Sequence, residues 1–291
     1  MLYAQFIVNG LITGAYISLV AAGFLLIYAT NKFAHFAHGS VVAAGAYIVY
    51  TLFNILGFNF YISAALAVVL TGCLGVVLFK FIYTRLQERK ASSAILLIAS
   101  LALMILIDNV LLALFGPNVR TFGLLSAQKG LAFWGISITP LQIIIIVSSA
   151  FLLLAVWLFV RYSKLGKLMR AVADNPELAG TTGINAKRIQ TYSFFIGSAL
   201  AGVAAVLIGL EQNVTPHMGT NLIIKGFAGA VVGGIHSLPG AVLGSFILGL
   251  AENLGIIWLP SGYKEAITFV LLLIFLIVRP QGILGINRGV R

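Results

Sequence analysis

The chain has 291 residues, of which 60% are hydrophobic and 9% charged, with a formal net charge of +11 and a mean hydropathy of +1.07. Charged residues make up about a quarter of an ordinary soluble domain, so a soluble globular fold is excluded. The basic excess lies between apolar runs and not on one folded face, which removes nucleic acid as a partner. The single Cys73 sits inside an apolar run, so no disulfide forms within the chain and a metal cluster is implausible.

Successive apolar runs predict an all-α polytopic membrane protein, one transmembrane domain over 1–291 embedded in the lipid bilayer. The start, MLYAQFIVNGLITGAY, has no basic region before its apolar stretch and reads as part of a first span over 5–28, not a cleaved signal. Ala29-Thr30-Asn31-Lys32 ends it, and the polar sequence from Phe33 to Ser40 opens a second span that reaches about Leu56. A third covers Tyr61 to Tyr83 and stops at the basic cluster 85–90. The fourth, Ser92 to Phe115, breaks at Gly116-Pro117-Asn118, and a mixed connection from Val119 to Gly135, with Arg120 and Lys129, has room for a short interfacial segment. The fifth span is Ile136 to Val160.

Next comes the one long polar passage, Arg161 to Gln190, with six of the 18 Lys and Arg and two of the seven acids. Within it Asp174 is expected to cap a short helix, about Asn175 to Thr182. Glu177 completes a capping box, Pro176 suits the first turn, and Gly183 suits a left-handed C-cap. By spacing alone, a helix offered to a cytoplasmic partner and an ordinary cytoplasmic loop are equally compatible.

A sixth span, Tyr192 to Leu210, carries small residues at Gly197, Ala201 and Ala205 that let helices approach. The apolar piece Ile223 to Ile235 holds Gly226, Gly229, Gly233 and Gly234 and is too short for an ordinary crossing, which takes about 20 residues. Spans at Ala241 to Trp258 and Ala266 to Val278 follow. The basic clusters at 85–90, 161–188 and Arg279 to Arg291 are expected on the cytoplasmic side, with the N-terminus outside, Lys32 inside, and about eight or nine crossings. The short piece either crosses thinly or re-enters, and such interruptions point to a transport path.

The chain contains no G-x-x-x-x-G-K-[ST] phosphate loop, because Gly166-Lys167 lacks both flanks of the motif. His35 and His38 share a helical spacing without a third ligand nearby and read as a hydrogen-bonded structural pair, not a metal site. Asp108, Glu211 and Glu252 are the candidate intramembrane acids, where structural hydrogen bonding is weighed ahead of proton or solute handling. Lys225 either snorkels to an interface or faces a polar cavity. The candidate solute path is the pair of expected helix breaks, Phe36, His38, Gly39 and Ser40 in one, Lys225, Gly226, Gly229, Gly233 and Gly234 in the other. On that reading Gly39→Val and Gly229→Val block uptake without disturbing assembly; the competing reading makes the glycines packing residues.

Several blocks, in order along essentially the whole chain, resemble the shorter of the two paired permeases of bacterial branched-chain amino acid ATP-binding cassette importers. They are Asn31 to Gly39, Leu114 to Pro117, Arg161 to Lys167 with Gly183-Ile184-Asn185, Lys225 to Gly234 with Gly240-Ala241, and Arg279 to Gly285. The chain departs from the family at His35, where Asn is usual, at Lys164 and Lys167, where Arg is common, and at Gly180-Thr181-Thr182, where bulkier apolar residues are usual. The resemblance implies a non-enzymatic transport subunit of the bacterial inner membrane. Its implied partners are a second permease, two cytoplasmic ATPases that hold the ATP and magnesium, and a periplasmic binding protein. It also implies that Asp174, Asn175, Pro176, Glu177, Leu178, Ala179, Gly180, Thr181, Thr182 and Gly183 form the helix that couples to the ATPase. The permeases of urea and short-chain amide importers are similar, which leaves those solutes as the alternative. A carrier coupled to protons through Glu252 or Asp108 is the reading from another class.

Overall fold

Water is absent from the core of a bilayer, so a crossing chain satisfies its own peptide groups, and the helix does this within one segment. The computed structural model describes residues 2–124, 131–133 and 136–285. Among these, eight helices are long and apolar enough to cross a membrane. In chain order the elements begin with α1 (Leu2–Asn31), α2 (Ala37–Tyr50) running into a π-helical turn (Thr51–Ile55), and α3 (Phe60–Leu78). A second π-helical stretch (Phe79–Tyr83) leads into α4 (Thr84–Glu88), and α5 (Ser93–Phe115) follows. Two short strands come next, β1 (Leu131–Phe133) and β2 (Ile136–Ile138), then α6 (Pro140–Tyr162), α7 (Lys164–Asp174), α8 (Pro176–Thr181) and α9 (Ala186–Glu211). The last helices are α10 (Met218–Gly233), α11 (Leu238–Gly255) and α12 (Lys264–Val278).

Three expectations need correction. The fifth span does not start at Ile136: Ile136–Ile138 pairs antiparallel with Leu131–Phe133. Helix α6 starts instead at a capping box that the sequence T-P-L-Q encodes. Thr139 Oγ1 accepts from Gln142 N at 3.2 Å, and Gln142 Oε1 accepts from Thr139 N at 3.1 Å. Nor is the chain interrupted within Lys225 to Gly233, since α10 is continuous and the break falls at Gly234, with φ +116°. Each internal glycine costs a helix about 1 kcal/mol, but these lie where another backbone presses close. At its 16 residues α10 is about 24 Å long against a hydrocarbon core of about 30 Å. The first break is likewise earlier than expected: Lys32, at φ +59°, leaves α1, and Ala37 to Ser40 already form the first turn of α2. Lys129, in the connection where a short interfacial segment is expected, and the tail beyond Gly285 lie outside the described residues.

The chain divides into two compact units. One comprises Met1–Leu25, Gly123–Leu154 and Ile224–Arg291. One cluster of its core is Ala228 and Val232 of α10 and Leu248 of α11, all fully buried, with Leu271, Leu272 and Phe275 of α12 packed around them. On α1, Gly10 and Gly14 let the helix lie directly against Leu250 and Phe246 of α11. After α12 the segment R-P-Q-G-I-L-G folds back, and Ile283 N and Leu284 N donate to Val232 O and Gly233 O, both at 2.9 Å. The orphan carbonyls at the end of α10 are satisfied that way.

The other unit comprises Leu26–Phe122 and Ala155–Ile223. Its principal seam is α3 against α9, with α2 lying against both. Gly75 of α3 faces Ser198, and Gly202 of α9 faces Thr71, each so closely that a Cβ would collide with the opposing hydroxyl. Small residues at a membrane seam gain dispersion contact where no hydrophobic force distinguishes protein from lipid. At one end Phe33, Tyr83, Phe79 and Phe194 form an aromatic group, with Phe79 stacked on Phe194 at 4.8 Å between centroids. The same end gathers the basic loops: Lys187 Nζ pairs with Glu88 Oε1 at 2.9 Å, Lys32 Nζ donates to Ala173 O, and Gln190 Nε2 donates to Thr30 O at 3.2 Å. Lys32, the 85–90 cluster and the 161–190 loop therefore share one end of this unit, as the distribution of positive charge requires.

Candidate functional site

The loop between α6 and α9 is two helices, not one. Ser163 caps α7, its hydroxyl accepting from Gly166 N at 2.8 Å. Gly166 lies so close to the carbonyls of Phe159 and Val160 that a side chain would strike them, which lets the chain reverse sharply out of α6. Along α7 an apolar stripe at Met169 and Val172 is buried, while Lys164, Lys167 and Arg170 are exposed. This amphipathic helix is not among the elements expected from the sequence, although its 3.6-residue spacing is the signal that finds it.

Helix α8 stands where the short helix was expected, with its cap one residue later. Asp174 is the last residue of α7, and Asn175 is the cap: its Oδ1 accepts from Glu177 N at 2.9 Å and Leu178 N at 3.1 Å. Pro176 occupies the first helical position, where its missing N–H costs nothing. Because Asn175 ends α7 as well as starting α8, it takes the cap that Asp174 was assigned. At the other end Gly183 has φ +83°. Ile184 N donates to Ala179 O at 3.1 Å and Gly183 N to Gly180 O at 3.1 Å, the paired bonds of a Schellman motif. Ala179 is buried; Glu177, Leu178, Gly180, Thr181 and Thr182 are exposed, Leu178 at 64%. The helix is thus held at both ends and presents its middle outward.

Two buried polar clusters contain the other candidates, one in each unit. In the second unit Asp108, 4% exposed, accepts from Ser40 Oγ at 2.6 Å and from Thr220 Oγ1 at 3.0 Å, and His217 Nδ1 lies 3.5 Å away. Both carboxylate oxygens have partners, as burial of an ionisable group demands. In the first unit Glu252, 1% exposed, pairs with Lys225 Nζ at 2.8 Å and accepts from Thr268 Oγ1. Sequence leaves Lys225 either snorkelling to an interface or facing a polar cavity; in the structure its ammonium pairs with Glu252, one helix away. An isolated Lys and an isolated Glu in neighbouring apolar segments is the signal for this pair. Thr220, His217 and Thr268 carry no comparable signal, because their partners lie as far as 112 residues away in sequence.

His35 is fully buried in the turn between α1 and α2, with Nδ1 2.9 Å from Tyr83 Oη and 3.4 Å from Ser100 Oγ. Burial, with His38 adding to it, holds its imidazole well below the usual pKa and therefore neutral. Its ring meets that of His38 at 6.2 Å between centroids, and no group of three His, Cys, Asp or Glu among the described residues is placed to hold a metal. Of the candidate path residues, His38, Gly39 and Ser40 are buried and Phe36 half-buried. A Cβ on Gly39 would strike Gly219 O, one on Gly233 would strike Gly240 O, and one on Gly229 would press on Ser245. Gly226 is buried beside Val20, and Gly234 closes α10.

Comparison with known proteins gives a consistent answer. Residues 6–276 match the family described as branched-chain amino acid transport system, permease component. The high-affinity branched-chain amino acid transport system permease protein LivH of Salmonella typhimurium is 33% identical over 297 aligned positions, which cover 97% of this chain and 96% of LivH. BraD of Pseudomonas aeruginosa, a permease protein of the same description, is also 33% identical with the same coverage. Among solved structures, PsaBC from Streptococcus pneumoniae in complex with Fab superposes with a TM-score of 0.51, at 18% identity, covering 95% of this chain and 93% of that one. That likeness is one of fold, but the family match and the two relatives run nearly end to end, and this multi-pass membrane chain belongs to the family of branched-chain amino acid transport system permease components.

Proposed function

We propose that the chain is the single-domain permease subunit of an ATP-binding cassette importer that carries branched-chain or related neutral amino acids across the bacterial inner membrane. The observation that carries this reading is α8, a short helix rigidly capped at both ends, exposed on a basic face and tied through α7 to the bundle. Such a helix is a seat for a partner that delivers mechanical work. The chain has no phosphate loop of its own, so ATP and magnesium belong to two cytoplasmic ATPase subunits, with a second permease and a periplasmic binding protein completing the assembly. The printed names of LivH and BraD support the solute class. So does the disposition of charge: Asp108 and Glu252 are each engaged by neighbouring side chains, which favours a neutral or zwitterionic solute over an ionic one and speaks against proton coupling through these acids.

The test is uptake by the four-component complex in proteoliposomes. Leucine accumulation should require internal ATP and the binding protein, and a cysteine at Leu178 should crosslink to the ATPase. Accumulation driven by a proton gradient without ATP would overturn the proposal. Urea or acetamide outcompeting leucine would keep the transporter class and replace the solute.

A further inference from the structure

Beside the α3–α9 seam, within the second unit, the surface opens into a cavity of about 430 Å³. Its floor and one wall come from the π-helical stretch after α3, Phe79 and Lys80, with Thr84 just beyond; the facing wall is the first turns of α9, with Lys187, Arg188 and Tyr192. Phe79 is buried and Lys80 exposed. Arg188 Nε donates to Tyr192 Oη at 3.1 Å, and its guanidinium lies 5.9 Å from that ring, so the cation is held at the rim. Lys187 is offset by Glu88, which leaves the charges of Lys80 and Arg188 as the excess at the mouth. The lining is mostly apolar, and π-helical irregularities inside α-helices occur frequently at functional sites.

From the mouth the outer surface of α3 continues as a strip of exposed apolar side chains, Val77, Leu70 and Leu66. An apolar strip of this kind on a membrane-spanning helix faces acyl chains. The cavity therefore stands at the level where a leaflet's headgroups begin, at the basic end of the unit. A cationic rim over an apolar floor, at the boundary between headgroup and hydrocarbon, matches an anionic phospholipid. The phosphate meets Lys80 and Arg188, and the chains run down α3. We propose that this cavity is a site for an anionic phospholipid of the cytoplasmic leaflet, and that the lipid wedges between the π-helical stretch and the start of α9.

Purified complex, stripped of lipid in detergent, is titrated with phosphatidylglycerol, with phosphatidylcholine and with inorganic phosphate, and bound lipid is counted by native mass spectrometry. Phosphatidylglycerol should be retained in preference to phosphatidylcholine. Lys80→Gln/Arg188→Gln should erase about thirtyfold of that preference, the effect of two basic groups at an anionic surface. Thr191→Trp fills the cavity and keeps both charges, and should lose the bound lipid as well. Lys164→Gln/Arg170→Gln makes the same charge change on α7 and should leave retention unaltered. Equal retention of both lipids overturns the proposal, as does an unchanged preference in the cavity variants or an equal loss in the α7 variant. Displacement of phosphatidylglycerol by millimolar phosphate also overturns it, assigning the cavity to a free anion.

Discussion

At the scale of single residues, the two intramembrane carboxylates look alike in sequence and differ in how their charge is met. Glu252 is neutralised by a cation, so removing Lys225 leaves a buried charge exposed to hydrocarbon. Lys225→Met should cost about 3–5 kcal/mol and sharply lower the yield of monodisperse protein after solubilisation. Lys225→Met/Glu252→Met should recover most of that yield; failure of the double variant to recover would mean that the pair does more than balance charge. His35 sets a different dependence. Folded, its imidazole stays neutral well below its ordinary pKa, whereas unfolded it takes up a proton near pH 6.5. Below about pH 6.5 the unfolded form therefore binds more protons, and the melting temperature should fall as pH drops from 7 toward 5. His35→Gln should flatten that slope in a thermal melt, at some cost in overall stability from the lost Tyr83 contact.

Whole elements carry the next two expectations. Asn175→Ala removes a cap worth about 1 kcal/mol, and Gly183→Val forces a branched side chain into positive φ at about 1–3 kcal/mol. Both should lower ATP-dependent uptake while leaving the membrane-embedded helices intact, as read by unchanged elution of the complex, and Gly183→Asn should retain more activity than Gly183→Val. For the glycines within α2 and α10 the close contacts reverse the expectation drawn from sequence. Gly39→Val and Gly229→Val should fail at assembly, because the side chain meets neighbouring backbone or Ser245, so these variants cannot separate a solute path from packing. The helices themselves were readable because twenty or so apolar residues leave few alternatives, and Gly183 because a C-cap has strong chemistry. The strand at Ile136 to Ile138 was not, since Ile-Ser-Ile is too short to show a period and reads equally as the start of a helix. The polar clusters were hidden for another reason: Ser40, Asp108 and Thr220 meet only through tertiary packing.

Over the molecule as a whole, the shared end of Lys32, the 85–90 cluster and the 161–190 loop makes a prediction about sidedness. In a Cys73→Ser background, cysteines at Lys90 and Thr182 should react with an impermeant maleimide in inverted vesicles, and a cysteine at Asn118 in right-side-out ones. Reaction of Lys90 and Thr182 from opposite sides would contradict the bond between Lys187 and Glu88. Among the described residues, eight long helices and the short α10 agree with the count read from hydropathy, and what hydropathy could not reveal is how α10 manages its length. Its carbonyl end is met by the backbone of Ile283 and Leu284, so protein stands in for the missing turns.

Asn175 ends α7 and begins α8 with no residue between them. A joint of one residue has no slack. A push on α8 cannot be absorbed in a linker and bears directly on the end of α7 beside the joint, which carries the carbonyl of Ala173 that Lys32 grips. Displacement applied at the exposed helix has one residue of joint and one hydrogen bond to cross before it reaches the corner where α1 hands over to α2.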